Sequence, residues 1–245
     1  MMSIVAESIT RSYGDDLAVD HLDLEVGPGE IHAIVGLNGA GKTTLMRMLM
    51  GMVKPDSGRA LIDGVDVVSA PPATWTQVGH MIETPFGYPE LTVIENIRAA
   101  ARLRGVSAGD LPSTTTAVIE RFELGRWAHR RARALSMGNR QRLGLACALV
   151  HRPRIVVLDE PSNSLDPSGV VLVRDLMRHE AAGGAAMLVS SHHLDEMARV
   201  AHRISALHRG RIIGAIDPDG VDLERSFFEM VHGAEVGLRE GGIDA

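Results

Sequence analysis

A run of small, cationic and hydroxyl residues early in the chain has the composition of a phosphate-binding loop. Residues 36–43 read GLNGAGKT and fit the pattern G-x-x-x-x-G-K-[ST]. Glycines let successive backbone N–H groups face one concavity, and the start of a following helix adds partial positive charge. Lys42 supplies a point charge for the β and γ phosphates of a nucleotide, and Thr43 offers a hydroxyl to Mg²⁺. The residues predicted to bind the nucleotide here are Gly36, Asn38, Gly39, Ala40, Gly41, Lys42, Thr43 and Thr44.

The scarcity of lysine supports this interpretation. Only Lys42 and Lys54 are lysines among the 25 Lys and Arg residues, so arginine supplies nearly all of the positive charge. The alternative is an ordinary glycine-rich turn, which gives no reason for a lysine at this position. A lysine at this point of the pattern therefore favours phosphate binding.

Two adjacent carboxylates follow a second apolar run. Residues 155–158 form a continuous apolar stretch that is typical of a parallel strand buried on both faces. Asp159 and Glu160 come directly after it, at the end of the strand where parallel α/β sheets bind ligands. One carboxylate can hold Mg²⁺ directly or through water, while the other orients or deprotonates an attacking water. We predict Asp159 as the metal ligand and Glu160 as the catalytic base; the alternative is two acids that only cap a strand beside Pro161.

The segments around these motifs alternate between strand and helix. Residues 3–35 contain short strand-like runs, of which residues 31–35 lead directly into the loop, and residues 42–52 follow as a helix with one buried apolar face. Strand and helix then alternate through the second half of the chain, which implies a parallel sheet with crossover helices. The predicted fold class is α/β, a P-loop nucleotide-binding domain with a parallel-sheet core and a β-rich N-terminal subdomain. The buried helix face is predicted to carry Leu45, Met48, Leu49 and Met52.

Between residues 85 and 133 the sequence pattern becomes typical of helices. Apolar spacing predicts helices at about residues 92–104 and 113–122, broken by turns that carry Gly and Pro. We therefore expect one domain over residues 1–245. Within it, about 1–83 and 143–245 would form the catalytic core, and about 84–142 would form an inserted helical subdomain.

Composition excludes several classes of protein. The chain has 245 residues, 45% of them hydrophobic, which excludes a disordered or collagen-like protein. A net charge of −6 without any long run of Lys or Arg argues against nucleic acid as the main partner. A single cysteine, Cys147, excludes an internal disulfide framework and fits a reducing compartment. No apolar run approaches the ~18 residues that span a bilayer, so we expect a cytoplasmic chain.

These motifs resemble those of the ATP-binding cassette (ABC) ATPases, and the resemblance covers nearly the whole chain. Residues 135–139 read LSMGN and match the family signature LSGGQ in register, departing from it at Met137 and Asn139. Residues 162–166 correspond to the family's D-loop. Tyr13 stands where the family has an aromatic ring that stacks on adenine; the alternative is a half-buried tyrosine without that role.

The resemblance implies a composite site built by two copies of the chain. Two copies would pair head to tail, so that each ATP lies between the Lys42 loop of one copy and the Ser136 helix of the other. Ser136 is then both the N-cap of its helix and a group that meets the γ-phosphate. Gly138 and Asp166 belong to the same partner-facing surface.

The resemblance also assigns a role to one histidine. Residues 190–192 correspond to the loop that bears the family's switch histidine, which makes His192 a catalytic residue alongside Glu160. Its neighbour His193 and two nearby acids could suggest a metal site. Adjacent residues on a helix diverge by about 100°, so a chelating histidine pair is disfavoured.

Glu83 occupies the position where most of the family has the glutamine of the Q-loop. With the stretch YPELT downstream and the ending LERSFFE, this resembles the branch of bacitracin- and lantibiotic-type export ATPases. The resemblance implies that Glu83 faces the metal together with Thr43 and Asp159. The alternative is a surface acid in a loop.

The charged run that follows the signature is predicted to be solvent-exposed. Arg140, Gln141 and Arg142 read most simply as the solvated start of a helix. Direct phosphate binding by this run is the alternative.

The resemblance implies a subunit that binds and hydrolyses MgATP, with ATP and Mg²⁺ as cofactors. Its partners would be a second copy of itself and a separate polytopic membrane permease, on the inner face of the cell membrane. The cargo would be an exported peptide, antibiotic or other amphipathic compound. An alternative is a non-transport ABC-type ATPase that acts on ribosomes or DNA, but the second cassette or long insertions of those relatives are missing. A regulatory ATP sensor with weak turnover is a further alternative, against which the intact Glu160 argues.

Overall fold

Two sheets frame the molecule in the computed structural model, which describes residues 2–85 and 87–240, with side chains up to residue 236. A four-stranded antiparallel sheet and a six-stranded, mostly parallel sheet lie on opposite sides of the first helix. The strands are β1 (Ile4–Tyr13), β2 (Asp16–Val26), β3 (Ile31–Val35), β4 (Ser57–Ile62), β5 (Val65–Asp66), β6 (Val78–Met81), β7 (Ile155–Asp159), β8 (Ala186–Ser191), β9 (Arg203–His208) and β10 (Arg211–Ile216).

Eight α-helices connect and cover these strands in the described part of the chain. They are α1 (Lys42–Leu49), α2 (Pro72–Trp75), α3 (Val93–Leu103), α4 (Leu111–Arg121), α5 (Met137–Leu149), α6 (Pro167–Ala182), α7 (Leu194–Ala198) and α8 (Leu223–Glu240). Short 3₁₀ turns occur at Gly125–Trp127 and Ala132–Ala134. None of the described helices has both the length and the apolar character needed to span a membrane.

The six-stranded sheet confirms the predicted parallel core. Its strand order is β10-β9-β3-β8-β7-β6, and every neighbouring pair is parallel except β10 with β9. All residues of β3, β7 and β8 are buried, as their continuous apolar runs predict. The C-terminal ends of these three strands therefore meet at one edge, where the loop at residues 36–41 and the acids after β7 lie.

Two apolar cores fill the faces of this sheet. One contains α1 and the four-stranded sheet, and the other contains α3, α4, α5 and α6. Cys147 lies on α5 in the second core, where burial raises the pKa of its thiol to about 12. Arg142 lies at the predicted boundary between the helical subdomain and the catalytic core. In the structure this residue is inside α5, so one continuous helix extends across that boundary.

The helix after the loop is shorter than the sequence predicts. Helix α1 ends at Leu49, and Gly51 adopts a positive φ of 65° that turns the chain away. The prediction that Met52 lies on the buried face is therefore wrong, because 51% of Met52 is exposed beyond the end of the helix. The other three residues of the predicted face, Leu45, Met48 and Leu49, are fully buried.

Candidate functional site

Close backbone approaches explain the glycines of the loop between β3 and α1. A Cβ atom on Gly36 would lie 2.5 Å from the carbonyl oxygen of Leu207, and one on Gly41 would lie 2.3 Å from that of Ala18. Gly41 also has a φ of 108°, which a residue with a side chain rarely adopts. These two positions therefore require glycine for lack of space, and Gly39, which has open space around it, favours glycine because its φ is 81°. The loop passes close to the backbone of β2 at Ala18 and of β9 at Leu207.

Lys42 lies inside the loop that it follows. Its Nζ donates hydrogen bonds to the carbonyl oxygens of Gly36 (2.6 Å) and Leu37 (3.3 Å), and lies 3.5 Å from Oε1 of Glu160. Only 8% of the lysine side chain is exposed. The ammonium is thus held at the concave side of the loop, opposite a carboxylate, where it can meet an incoming anion.

A hydroxyl and a carboxylate meet between α1 and the end of β7. Thr43 Oγ1 donates to Oδ2 of Asp159 at 2.8 Å, and the other carboxylate oxygen accepts a hydrogen bond from Ser190 Oγ. Asp159 is buried, and these two hydrogen bonds fix the orientation of its carboxylate. Oxygen donors in this arrangement suit a hard divalent cation that takes its remaining ligands from phosphate and water. The described residues contain no group of three or more His, Cys, Asp or Glu that could hold a metal ion.

The structure brings together the two residues predicted to be catalytic. Glu160 Oε2 accepts a hydrogen bond from Nδ1 of His192 (2.9 Å) and a second one from its backbone N–H (3.3 Å). Glu160 has a φ of 50°, an uncommon value for a residue other than glycine. Its own backbone N–H donates to Ser190 Oγ at 3.0 Å. The carboxylate is thereby aimed from the end of β7 toward the loop after β8.

Gln141 supports this arrangement and was not predicted to do so. Its Nε2 donates to the carbonyl oxygens of Glu160 and Pro161, both at 3.1 Å. Arg142 forms ion pairs with Glu123 (2.6 Å) and Asp166 (3.4 Å). The prediction of a solvated run is therefore wrong for Gln141 and Arg142, which are both buried.

The reason for this error lies in helix α5. Residues 141–150 are buried on every side of the helix, so the sequence has no amphipathic period that separates inner from outer positions. Arg140 is exposed, as predicted. Buried polar side chains need partners, and that requirement alone could have marked Gln141 and Arg142 once the helix was known to be enclosed.

The residues of the loop that were predicted to bind the nucleotide, except Gly36, line one cavity of about 240 Å³. Tyr13 and Glu83 are not among the residues that line it. The Tyr13 ring is exposed at the end of β1, with the guanidinium of Arg11 4.9 Å from its centroid. The carboxylate of Glu83 forms an ion pair with Arg47 of α1 at 2.5 Å. The cavity is lined by Ala18, Asn38, Gly39, Ala40, Gly41, Lys42, Thr43, Thr44, Asp159 and Glu160.

A second cavity, of about 760 Å³, collects the predicted partner-facing residues Ser136, Gly138 and Asp166. Ser136 caps α5 by accepting hydrogen bonds from the backbone N–H (3.3 Å) and the side chain (2.9 Å) of Asn139. Asp166 caps α6 by accepting a hydrogen bond from the backbone N–H of Gly169. This hydrogen bond is the largest of several contacts that lower the pKa of the Asp166 carboxyl. No residue lines both cavities. One chain therefore carries two half-sites that its own fold keeps apart.

Comparisons with known proteins match this geometry. A family model described as ABC transporter matches residues 19–163. The daunorubicin resistance ATP-binding protein DrrA3 of Streptomyces coeruleorubidus is 35% identical over 98% of this chain and 75% of its own length. The bacitracin transport ATP-binding protein BcrA of Enterococcus faecalis is 34% identical over 87% of this chain and 69% of its own length. A solved structure, described as the ATP binding subunit of an ABC transporter, aligns with a TM-score of 0.82, 27% identity and coverage of 97% and 99% of the two chains.

Proposed function

The chain belongs to the ABC transporter family, and from this premise we propose that it powers a separate membrane permease as a head-to-tail dimer. It is an ATP-binding subunit with ATPase activity. We propose a role for each site residue, Mg²⁺ as the bound cation, and a membrane permease as the partner that ATP hydrolysis powers. It is carried by one observation, the separation of the two half-sites within one chain.

The separation favours a composite site because each half lacks what the other has. The cavity at the loop offers Lys42 and the carboxylates but no helix N-terminus from α5. The cavity at Ser136 offers that N-terminus, with positive partial charge, but no loop lysine. A second copy turned head to tail would bring one half against the other and enclose two nucleotides.

Within the first half, Lys42 and the loop bind the phosphates, and Glu160 acts on water. The ammonium group of Lys42 is already in position to meet the phosphates, because its Nζ lies within the loop. Glu160 accepts the proton of the attacking water, and His192 holds its carboxylate through the 2.9 Å contact. Gln141 keeps the backbone at Glu160 in place as a positioning residue.

Thr43 and Asp159 are the residues that would hold Mg²⁺, with Glu83 as a further ligand after it leaves Arg47. Bound there, Mg²⁺ would neutralise charge on the β and γ phosphates during transfer. The contact between Thr43 and Asp159 keeps both oxygens at the edge of the loop. Tyr13 is proposed as the adenine platform, since its ring is exposed at the end of β1.

The names of the relatives support a proposal about the cargo. Two of them are described as daunorubicin resistance and bacitracin transport ATP-binding proteins. We propose that this chain likewise drives export of an antibiotic, a peptide or another amphipathic compound. It would do so from the inner face of the cell membrane, with the helical residues 84–142 passing the motion to the permease.

Affinity purification from detergent-solubilised membranes tests this function. The tagged chain should retain a polytopic membrane protein, and the purified complex should hydrolyse ATP faster than the isolated chain. A parallel sample without detergent should be sedimented through sucrose to follow ribosomes and DNA. Retention of ribosomes or DNA, with no membrane protein, would replace the transport proposal by the non-transport alternative.

A further inference from the structure

Glu83 occupies a strained turn between β6 and the helical residues that follow. Its φ is 62°, and the N–H of Thr84 donates to the carbonyl oxygen of Ile82 at 2.9 Å. A three-residue turn with a positive central φ is rare, because a side chain disfavours that conformation. Residues in such conformations persist only where their surroundings hold them.

Arg47 forms an ion pair with Glu83 at this turn. It lies in the last turn of α1, and its Nη2 is 2.5 Å from Oε2 of Glu83. Among the described residues, no other ion-pair partner of Glu83 occurs. Helix α1 starts at Lys42, so the same rigid element carries the loop lysine at one end and the partner of Glu83 at the other.

The exposure of the pair makes it exchangeable. About 36% of the Arg47 side chain and 49% of the Glu83 side chain are exposed. Ion pairs with this degree of exposure are weak, since water and salt compete for both charges. The arginine can therefore hold the carboxylate in the free protein and still release it to a stronger cation.

We infer that Arg47 is a positioning residue that competes with the divalent cation for Glu83. This inference rests on the proposed function, in which Glu83 faces the metal. In the free chain the arginine neutralises the carboxylate and keeps it outside the phosphate cavity. When the cation enters with the nucleotide, Glu83 exchanges its partner, and the strained turn moves with it.

The competition has a measurable size. When only a fraction of the protein molecules can bind a ligand, the apparent Kd equals the intrinsic Kd divided by that fraction. If Arg47 holds Glu83 about two thirds of the time, the cation binds about threefold more weakly than it would to a free carboxylate. Removal of the arginine should recover this factor, provided that Glu83 is present.

A magnesium titration tests the inference without relying on turnover. Binding of a fluorescent, non-hydrolysable ATP analogue is measured at increasing Mg²⁺ for the wild type, Arg47→Gln, Glu83→Gln and the double variant. Arg47→Lys retains the charge, and Arg59→Gln is the matched control, because it breaks an exposed arginine–glutamate pair in the four-stranded sheet. Melting temperatures of all variants verify that they fold.

The expected results form a double-mutant cycle. Arg47→Gln should lower the half-saturating Mg²⁺ concentration about threefold, whereas Arg47→Lys and Arg59→Gln should resemble the wild type. Glu83→Gln should raise that concentration and make Arg47→Gln silent in the double variant. Turnover of Glu83→Gln should stay within about tenfold of the wild type, because an amide oxygen still binds the cation.

Two outcomes overturn the inference, and they are distinguishable. If Glu83→Gln leaves the Mg²⁺ dependence unchanged, the charge of the Glu83 carboxylate does not assist cation binding, and the proposed role of this charge fails together with the inference. If Glu83→Gln has its effect but Arg47→Gln has none, or acts equally in the double variant, only the competition by Arg47 is wrong.

Discussion

The two half-sites of this chain differ in how deeply their residues are buried. At the loop, Lys42 and Asp159 are buried and hydrogen-bonded to their surroundings, and Glu160 is fixed by His192. At the other half-site, Met137 leaves 65% of its surface exposed directly after the helix cap. The residues of the loop half-site are held by contacts within the chain, whereas the second half-site presents an open helix start to solvent. Under the composite-site proposal, a single chain supplies the residues for the chemistry, and a second copy encloses them.

This contrast separates two kinds of substitution. Changes at the loop should act within each chain, on nucleotide binding or on the chemical step. Changes at Ser136 should act only between chains, on the dimer that encloses the nucleotide. The predictions below run from the largest expected effect to the smallest and test this division.

The largest effect is expected from Lys42, since it meets the phosphates directly. Lys42→Ala should weaken ATP binding and reduce turnover by about 10³-fold or more, because a preorganised charge in a buried site is lost. Lys42→Arg should fail as well, since a planar guanidinium does not fit where a compact ammonium bonds two carbonyl oxygens. Nucleotide titration and steady-state turnover measure both effects. Wild-type turnover in the arginine variant would contradict the assignment.

Glu160→Gln should separate binding from chemistry in the same half-site. The amide retains the shape of the side chain but cannot take a proton, so turnover should fall by about 10²-fold or more. ATP should still bind, and the bound nucleotide should hold two chains together. Size-exclusion chromatography with and without MgATP should show a monomer-to-dimer shift. Hydrolysis at the normal rate would exclude Glu160 as the base.

Ser136→Arg should act between chains only. A bulky cation at the helix cap would project into the second cavity and block the approach of a second copy, so the MgATP-dependent dimer of the Glu160→Gln variant should disappear. ATP affinity of the single chain should remain that of Glu160→Gln, because the loop cavity does not include Ser136. Ser107→Arg is the matched control at an exposed serine that lines neither cavity. A persistent dimer in Ser136→Arg would break the composite-site proposal.

The smallest effect is expected from Gln141, which connects the two regions through α5. Gln141→Leu removes the donor to two carbonyl oxygens and should lower the free energy of unfolding by about 1–3 kcal/mol. For a chain of this length the melting temperature should fall by about 2–4 °C per kcal/mol. Turnover should fall further than nucleotide affinity, because Glu160 loses its support. Arg140→Ala, at the exposed neighbouring position, should change neither property.

The loop assigned to phosphate binding could be located in the sequence because its pattern is local. Eight neighbouring positions define the loop, and a short apolar run followed by two acids defines the end of β7. Sequence spacing contains this information without knowledge of the fold. The family identified from these motifs, and the parallel-sheet core expected with them, are confirmed.

Contacts between distant segments could not be predicted in this way. Arg47 and Glu83 lie 36 positions apart, and no period or pattern relates them. The contact of Gln141 with the carbonyl of Glu160 likewise depends on how α5 packs beside the end of β7. Strand β6 was missed because Gly79 and His80 interrupt any apolar alternation, although parallel pairing with β7 holds it in the sheet. The roles assigned to the site residues, Tyr13, Glu83 and Ser136 among them, remain predictions.

The burial of Cys147 has a practical consequence for measuring the dimer. Only a thiolate reacts with thiol-directed labels, and a buried thiol whose pKa is about 12 forms almost none near neutral pH. A cysteine introduced at exposed Ser107, which lines neither cavity, would then be the one reactive sulfur among the residues that the structure describes. A spin label at this position could report the distance between copies during turnover, in a chain whose native cysteine need not be removed.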